Sequence, residues 1–266
     1  MDDYFGLARE LLAKGRAQIA DPYAQAELYD LLNLQVGGDE FYVEFAKERG
    51  GRVLDLACGS GRLLPQLLDA GLEVAGLDLA PAMLERARRR LGERAGQVEL
   101  VLGDMRGFSF GQPFDTILIP YCSLIYIHSD ADRLAVFQRC SQHLREGGWL
   151  AFDFLAGAVE VGEGVPSLAL QGIHPFTEEL LVSVVQIKGL ARDLRLLNQI
   201  NYILPKEPKP AQVTVFASRE AVVQPEHMAD LVVQAGFEVA GVYGSFALEP
   251  YAGGETCLMV ACKRRG

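Results

Sequence analysis

The chain has 266 residues, half of them apolar, with 25 Lys and Arg against 35 Asp and Glu for a net charge of -10. That composition excludes a disordered or collagen-like chain, and the length supplies one large domain or one domain with a sizeable insertion. The acidic balance argues against a phosphate-backbone binder, no apolar run approaches the ~20 residues that span a bilayer, and the acidic start Met1-Asp2-Asp3 is unlike a signal peptide, so a cytoplasmic protein is expected.

Residues 4–20, 22–34 and 39–49 carry the apolar spacing of three amphipathic helices. From Gly51 onward, short apolar runs alternate with helical patterns, the signature of βα units around a parallel sheet. Strands are expected at 52–56, 73–77, 98–102, 114–119 and 149–154. Pro65 and Pro81 suit first helical turns, and Ser129 with Asp132 caps a helix that Gly147-Gly148 should end. About seventy residues then separate Phe154 from a helix near 226–236, whereas a βαβ crossover takes roughly 30. Strands at 180–188, 194–204 and 212–218 fill that insertion as an antiparallel meander, and strands at 237–243 and 256–262 return to the main sheet. The expected organisation is therefore an N-terminal helical lid (1–50), a core (51–154), an inserted meander (155–224) and the rest of the core (225–266).

The loop Ala57-Cys58-Gly59-Ser60-Gly61 joins the first core strand to its helix, and Asp78 ends the next strand 17 residues beyond Gly61. This is the layout of a nucleoside site: glycines admit a ligand close to the backbone, and a strand-end carboxylate accepts from ribose hydroxyls. A dinucleotide site would want a third glycine where Leu64 stands, and no Gly-Lys-Ser/Thr serves a triphosphate. A phosphate-free ribose ligand fits better, and S-adenosylmethionine carries an adenosine, an amino-acid tail and a sulfonium cation that suits an acidic face.

Over residues 40–154 the chain resembles the class I S-adenosylmethionine-dependent methyltransferases. The resemblance rests on Val53-Leu54-Asp55-Leu56-Ala57-Cys58-Gly59-Ser60-Gly61, Gly76-Leu77-Asp78-Leu79-Ala80-Pro81-Ala82-Met83-Leu84, Gly103-Asp104-Met105 and Leu144-Arg145-Glu146-Gly147-Gly148, in order. More loosely, Ala26-Glu27-Leu28-Tyr29-Asp30 and the meander look similar to methyltransferases acting on sugar amines or comparable metabolites. The resemblance implies a doubly wound α/β sheet of seven mostly parallel strands, Rossmann-like, in the order 3-2-1-4-5-7-6. It implies that Asp55 and the backbone of Ala57, Gly59 and Gly61 hold the methionine tail, Asp78 the ribose, and Leu79 and Met83 one adenine face. Asp104 would accept from the adenine amino group, Met105 cover the ring, and Tyr29 cover the cofactor as part of a lid. Ala57 departs from the family's usual glycine.

Tyr121, just past the fourth strand, stands where methyl group and acceptor should meet, because ligands bind beyond the carboxyl ends of the strands. The expected reaction is N- or O-methylation of a small molecule, yielding S-adenosylhomocysteine. Nucleic-acid and membrane partners are not expected. An alcohol acceptor would want a base, for which His128 is the first candidate, with His174, Tyr121 and Tyr126 behind it. Five cysteines without CxxC or zinc-ligand spacing read as reduced, with Cys58 a space-filler and no metal site. His143, His227 and the run Arg86, Arg88, Arg89, Arg90 read as solvated surface. Two rivals stand beside this reading: an NAD(P)-dependent reductase, and a non-catalytic S-adenosylmethionine-binding assembly protein that forms a homo-oligomer through its meander.

Overall fold

The computed structural model describes residues 2–21, 23, 30, 37–173 and 177–265. The chain forms two compact units, one of Met1–Gln35 with Val159–Glu220 and one of Val36–Ala158 with Ala221–Gly266. The expected segment 1–50 is thus divided. Its first 35 residues group with the meander, and the helix at 39–49 groups with the core.

The core unit is built on a seven-stranded sheet in the order β12-β13-β6-β5-β2-β3-β4. Its strands are β2 (Arg52–Leu56), β3 (Glu73–Asp78), β4 (Val98–Leu102), β5 (Phe114–Ile119), β6 (Leu144–Leu155), β12 (Phe237–Tyr243) and β13 (Thr256–Lys263). The first five run parallel, and β13 runs antiparallel to both β6 and β12. Counted along the core alone this is the order 3-2-1-4-5-7-6. Every residue of β2 is buried because helices cover both faces of the sheet. Val53 packs with Tyr42, Phe45, Leu64 and Leu84 of α2 (Asp39–Arg49), α3 (Leu64–Asp69) and α4 (Pro81–Leu91). Leu54 and Leu56 face the other way, toward Phe137 and Leu231 of α5 (Asp130–His143) and α6 (Pro225–Gln234).

Local chemistry sets the helix starts. Pro65, Pro81 and Pro225 lie in first turns, and Ser129 Oγ accepts the Asp132 amide at 3.1 Å. The expected stop at Gly147-Gly148 is corrected. The helix ends at His143, and both glycines lie inside β6, where pairing with β5 shifts register between Phe114 and Thr116.

The other unit holds α1 (Gly6–Ala13) and a six-stranded sheet in which β1 (Gln18–Ile19), β11 (Gln212–Ala221), β10 (Leu194–Leu204), β9 (Leu180–Ala191) and β7 (Gly162–Glu163) are neighbours, while β8 (Ser167–Ile173) also pairs with β9. The expected helix over 4–20 stops at Ala13, and Gln18–Ile19 instead pair in parallel with β11. Ala8, Ile200 and Val215 form its core, and Asn198 ties down the N-terminus by accepting the Phe5 amide at 2.9 Å and donating to the Asp3 carbonyl at 2.8 Å. The expected helix at 22–34, with Tyr29, falls almost wholly outside the described residues, as does His174.

In the loop after β2, Ala57, Gly59 and Gly61 have φ of 66°, 54° and 76°. A Cβ at Gly61 would meet Ala87 Cβ at 2.8 Å, whereas one at Gly59 would meet nothing within 4 Å. Gly61→Ala therefore suffers both strain and overlap with α4, and a loss of about 2 kcal/mol or more is expected, against roughly 1 kcal/mol for Gly59→Ala. Thermal unfolding of the two variants checks this, and equal losses would refute the packing half of the explanation.

Candidate cofactor and methyl-transfer site

Strand order reverses between β2 and β5, and a switch point of this kind is where open α/β sheets bind ligands, in the crevice beyond the strand ends. Three neighbouring strand ends deliver its side chains: Asp55 from β2, Asp78 from β3 and Tyr121 past β5, with Asp55 in register with Gly76 and Leu118.

Asp55 is 1% exposed, and among the described residues its Oδ1 has no hydrogen-bond partner. Burial, and then the neighbouring charges of Asp78 and Asp39, push its pKa up to about 8. A buried carboxyl atom without a donor is costly unless something cationic or hydrogen-bonding arrives, so this atom fits a ligand ammonium. Asp78 is only half-buried. Its two oxygens accept the amides of Gly59 and Ala80, each at 2.8 Å, and burial raises its pKa against those bonds. This carboxylate both shapes the loop and keeps lone pairs for further donors.

Leu79 is 70% exposed, as an adenine-covering side chain must be before its ligand binds. Met83 is corrected: at 1% exposure it lies in the core at the start of α4, where the helix turns it inward. Met105 is half-buried against the other helix layer. Asp104 is bound by Arg106, whose side chain and amide both reach it, and this guanidinium holds its carboxyl below the usual range.

Tyr121 donates its hydroxyl to Asp39 Oδ1 at 2.7 Å, and the Arg62 guanidinium lies 5.0 Å from its ring centre. Burial first, and then the Asp39 bond, raise its pKa, so Tyr121 stays a neutral hydrogen-bond donor and a wall rather than a base. Asp39 also binds Arg62 at 2.9 Å and Gln66 at 3.3 Å. His128 and Tyr126 are exposed on the turn leading to α5.

Other expectations are revised. Cys58 is buried, and its Sγ would stand 3.0 Å from a Cβ at Gly76, so it fills space as expected. Arg90 is not simply solvated, since it donates to the Ser60 carbonyl at 2.9 Å and braces the loop. His143 packs on Phe108, with ring centres 4.7 Å apart, and His227 pairs with Asp130 at 2.9 Å.

Sequence reasoning missed Asp39, Arg62, Tyr42 and Asp153. Asp153 on β6 is 3% exposed and accepts from the Tyr42 hydroxyl and from the Cys122 amide at 2.9 Å. The available signal was a lone acid between Phe152 and Phe154, matching Asp55 between Leu54 and Leu56.

A doubly wound sheet with a glycine loop and strand-end carboxylates at its switch point has the layout of a nucleoside-binding domain. Residues 53–148 match the family described as "Methyltransferase domain". The chain is 25% identical to the cypemycin N-terminal methyltransferase of a Streptomyces species, over 90% of this chain and 95% of that protein. It is 32% identical to the dTDP-3-amino-3,6-dideoxy-alpha-D-glucopyranose N,N-dimethyltransferase of Streptomyces fradiae, over 52% of this chain and 58% of that enzyme. The crystal structure of Streptomyces venezuelae DesVI superposes with a TM-score of 0.74 at 20% identity, covering 90% of this chain and 98% of that one. The chain thus carries a methyltransferase domain over residues 53–148 and has the fold of S-adenosylmethionine-dependent methyltransferases, which favours a methyltransferase over the reductase and the non-catalytic alternatives.

Proposed function

We propose that this enzyme methylates an amine on a small metabolite, with an amino sugar or its nucleotide conjugate as the leading acceptor class. The observation that carries the reading is the pair of carboxylates at the switch point, where the buried Asp55, its Oδ1 without a hydrogen-bond partner among the described residues, and the half-buried Asp78 make an acidic wall suited to a cationic nucleoside. The matched N,N-dimethyltransferase, an amino-sugar enzyme by name, supports the acceptor class.

When bound, S-adenosylmethionine supplies a methyl carbon activated by positive sulfur. Asp55 and the backbone at Ala57, Gly59 and Gly61 would hold its amino-acid tail, and Asp78 its ribose. Leu79 and Met105 would cover the adenine, and Asp104 would accept from its amino group once Arg106 shares the carboxylate. Positioning and exclusion of water account for much of such a displacement. An amine has only to arrive neutral. Tyr121 holds its proton too firmly to serve as a base, which favours nitrogen over an alcohol needing deprotonation. His128 would accept the proton that the amine loses, and Tyr29 would belong to the lid. We place the reaction in the cytoplasm on a freely diffusing acceptor, since a net charge of -10 opposes nucleic-acid backbones. Among the described residues no helix is long and apolar enough to cross a membrane.

Incubation with S-adenosylmethionine and dTDP-3-amino-3,6-dideoxyglucose, followed by mass spectrometry, tests this. Methylated sugar and S-adenosylhomocysteine in equal amounts are expected at the first turnover. Transfer to hydroxyl acceptors alone would overturn the nitrogen assignment.

A further inference from the structure

We propose that Asp153 and Tyr42 are positioning residues for methyl transfer, holding the strained Tyr121–Cys122 turn that forms one wall of the crevice. The inference rests on the reading of that crevice as the transfer site.

Tyr121 and Cys122 are consecutive non-glycine residues with φ of 59° and 54°. One such residue is uncommon, and two in succession persist only where surrounding contacts over-determine them. Those contacts converge on one carboxylate. Asp153 Oδ2 accepts the Cys122 amide at 2.9 Å and lies 3.2 Å from its Sγ, the Tyr121 amide also reaches the carboxyl group, and Oδ1 accepts the Tyr42 hydroxyl. Tyr42 is fully buried on α2. The groups facing Asp153 are therefore a phenol, a thiol and two amides, all neutral donors. Burial raises the Asp153 pKa and these bonds oppose the rise.

Stability alone does not explain a carboxylate there. An apolar side chain like the flanking Phe152 and Phe154 would avoid the desolvation cost that neutral partners only partly return. What an apolar residue cannot do is accept two amides of a turn bent against its preference. That turn leaves β5 beside the end of β2, where Leu118 is in register with Asp55, and it carries the Tyr121 ring. The ring is then held from three sides, by Asp39 at its hydroxyl, Arg62 near its face and Tyr42, whose ring centre lies 6.3 Å away in a T-shaped arrangement. Neither Asp153 nor Tyr42 is assigned a contact with cofactor or acceptor. Both act through Tyr121.

The test compares wild type with Asp153→Ala, Asp153→Asn and Tyr42→Phe. It measures kcat and KM toward dTDP-3-amino-3,6-dideoxyglucose, calorimetric Kd for S-adenosylhomocysteine, and the NMR signal of the 13C-labelled Tyr121 ring, assigned by its loss in Tyr121→Phe. In Asp153→Ala we expect kcat to fall about tenfold or more per folded molecule, with Kd within about threefold of wild type and a displaced Tyr121 signal. Asp153→Asn, which keeps an acceptor oxygen, should recover most of the rate. Tyr42→Phe should show the Asp153→Ala pattern more weakly, and it decides the matter if Asp153→Ala does not fold. An unchanged kcat in both variants, or an equal loss of Kd and kcat, overturns the proposal. A wild-type enzyme inactive on this sugar would count against the acceptor class alone. The Tyr121 signal of the S-adenosylhomocysteine complex then decides, and an unmoved signal in Asp153→Ala overturns the positioning role.

Discussion

Exchanging Asp55 for asparagine is expected to raise the thermal stability of the cofactor-free enzyme, by a gain that grows as pH climbs from about 4 to about 8 before levelling. Burial lifts this carboxyl from 3.8 to about 8, so across that window the folded chain keeps a proton that the unfolded chain has released. Folding then becomes less favourable with rising pH, by an amount on the order of 5 kcal/mol when the window has been crossed. Asparagine has nothing to release and escapes the penalty. The same exchange weakens cofactor binding, because a ligand cation can ionise Asp55 but gains no such partner from an amide. Wild-type affinity for S-adenosylmethionine should accordingly rise between about pH 6 and 8 with expulsion of a proton, and Asp55→Asn should lack both effects. Melting curves over pH, with calorimetry in buffers of different ionisation enthalpy, measure the two halves. A variant no more stable than wild type at pH 8, together with wild-type binding that releases no proton, would remove Asp55 from the cation site.

Much of the core was legible because its signals are local. The run Val53 to Leu56, the stop at Gly71 and Pro81 at the head of α4 each act within a few residues, and β2, β3 and α4 follow them closely. Asp55, Asp78 and the loop glycines were readable for the same reason, since strand ends and turns fix them. Contacts made over long distances in sequence were not. Tyr121 meets Asp39 across 82 residues, and Asp153 meets Tyr42 across 111, so no spacing in the chain announces either pair. Gln18–Ile19 read as helix because their strand character comes only from β11, almost 200 residues away. Met83 misled in another way. The adenine role came from its place in a motif, but the turn begun by Pro81 points it into the core, leaving Leu79 outside.

Asp78→Ala is expected to weaken S-adenosylhomocysteine binding by about 1 to 3 kcal/mol, roughly fivefold to more than a hundredfold in Kd. Two losses would contribute. The Gly59 and Ala80 amides lose the acceptor they hold at 2.8 Å, and the ribose hydroxyls lose a carboxylate. A single affinity cannot separate a loop-shaping acid from a ribose-binding one, but a cycle with the 2′-deoxy analogue can. If Asp78 holds the ribose, wild type discriminates against the analogue and the variant binds both ligands alike. If it only shapes the loop, the variant is weaker toward both while the discrimination survives intact. That second pattern would leave the crevice acidic and the loop correct but move ribose recognition to other donors and acceptors. The half-buried setting favours the first outcome, because the amides of Gly59, Leu79 and Ala80 leave part of the carboxylate's accepting capacity open to further donors.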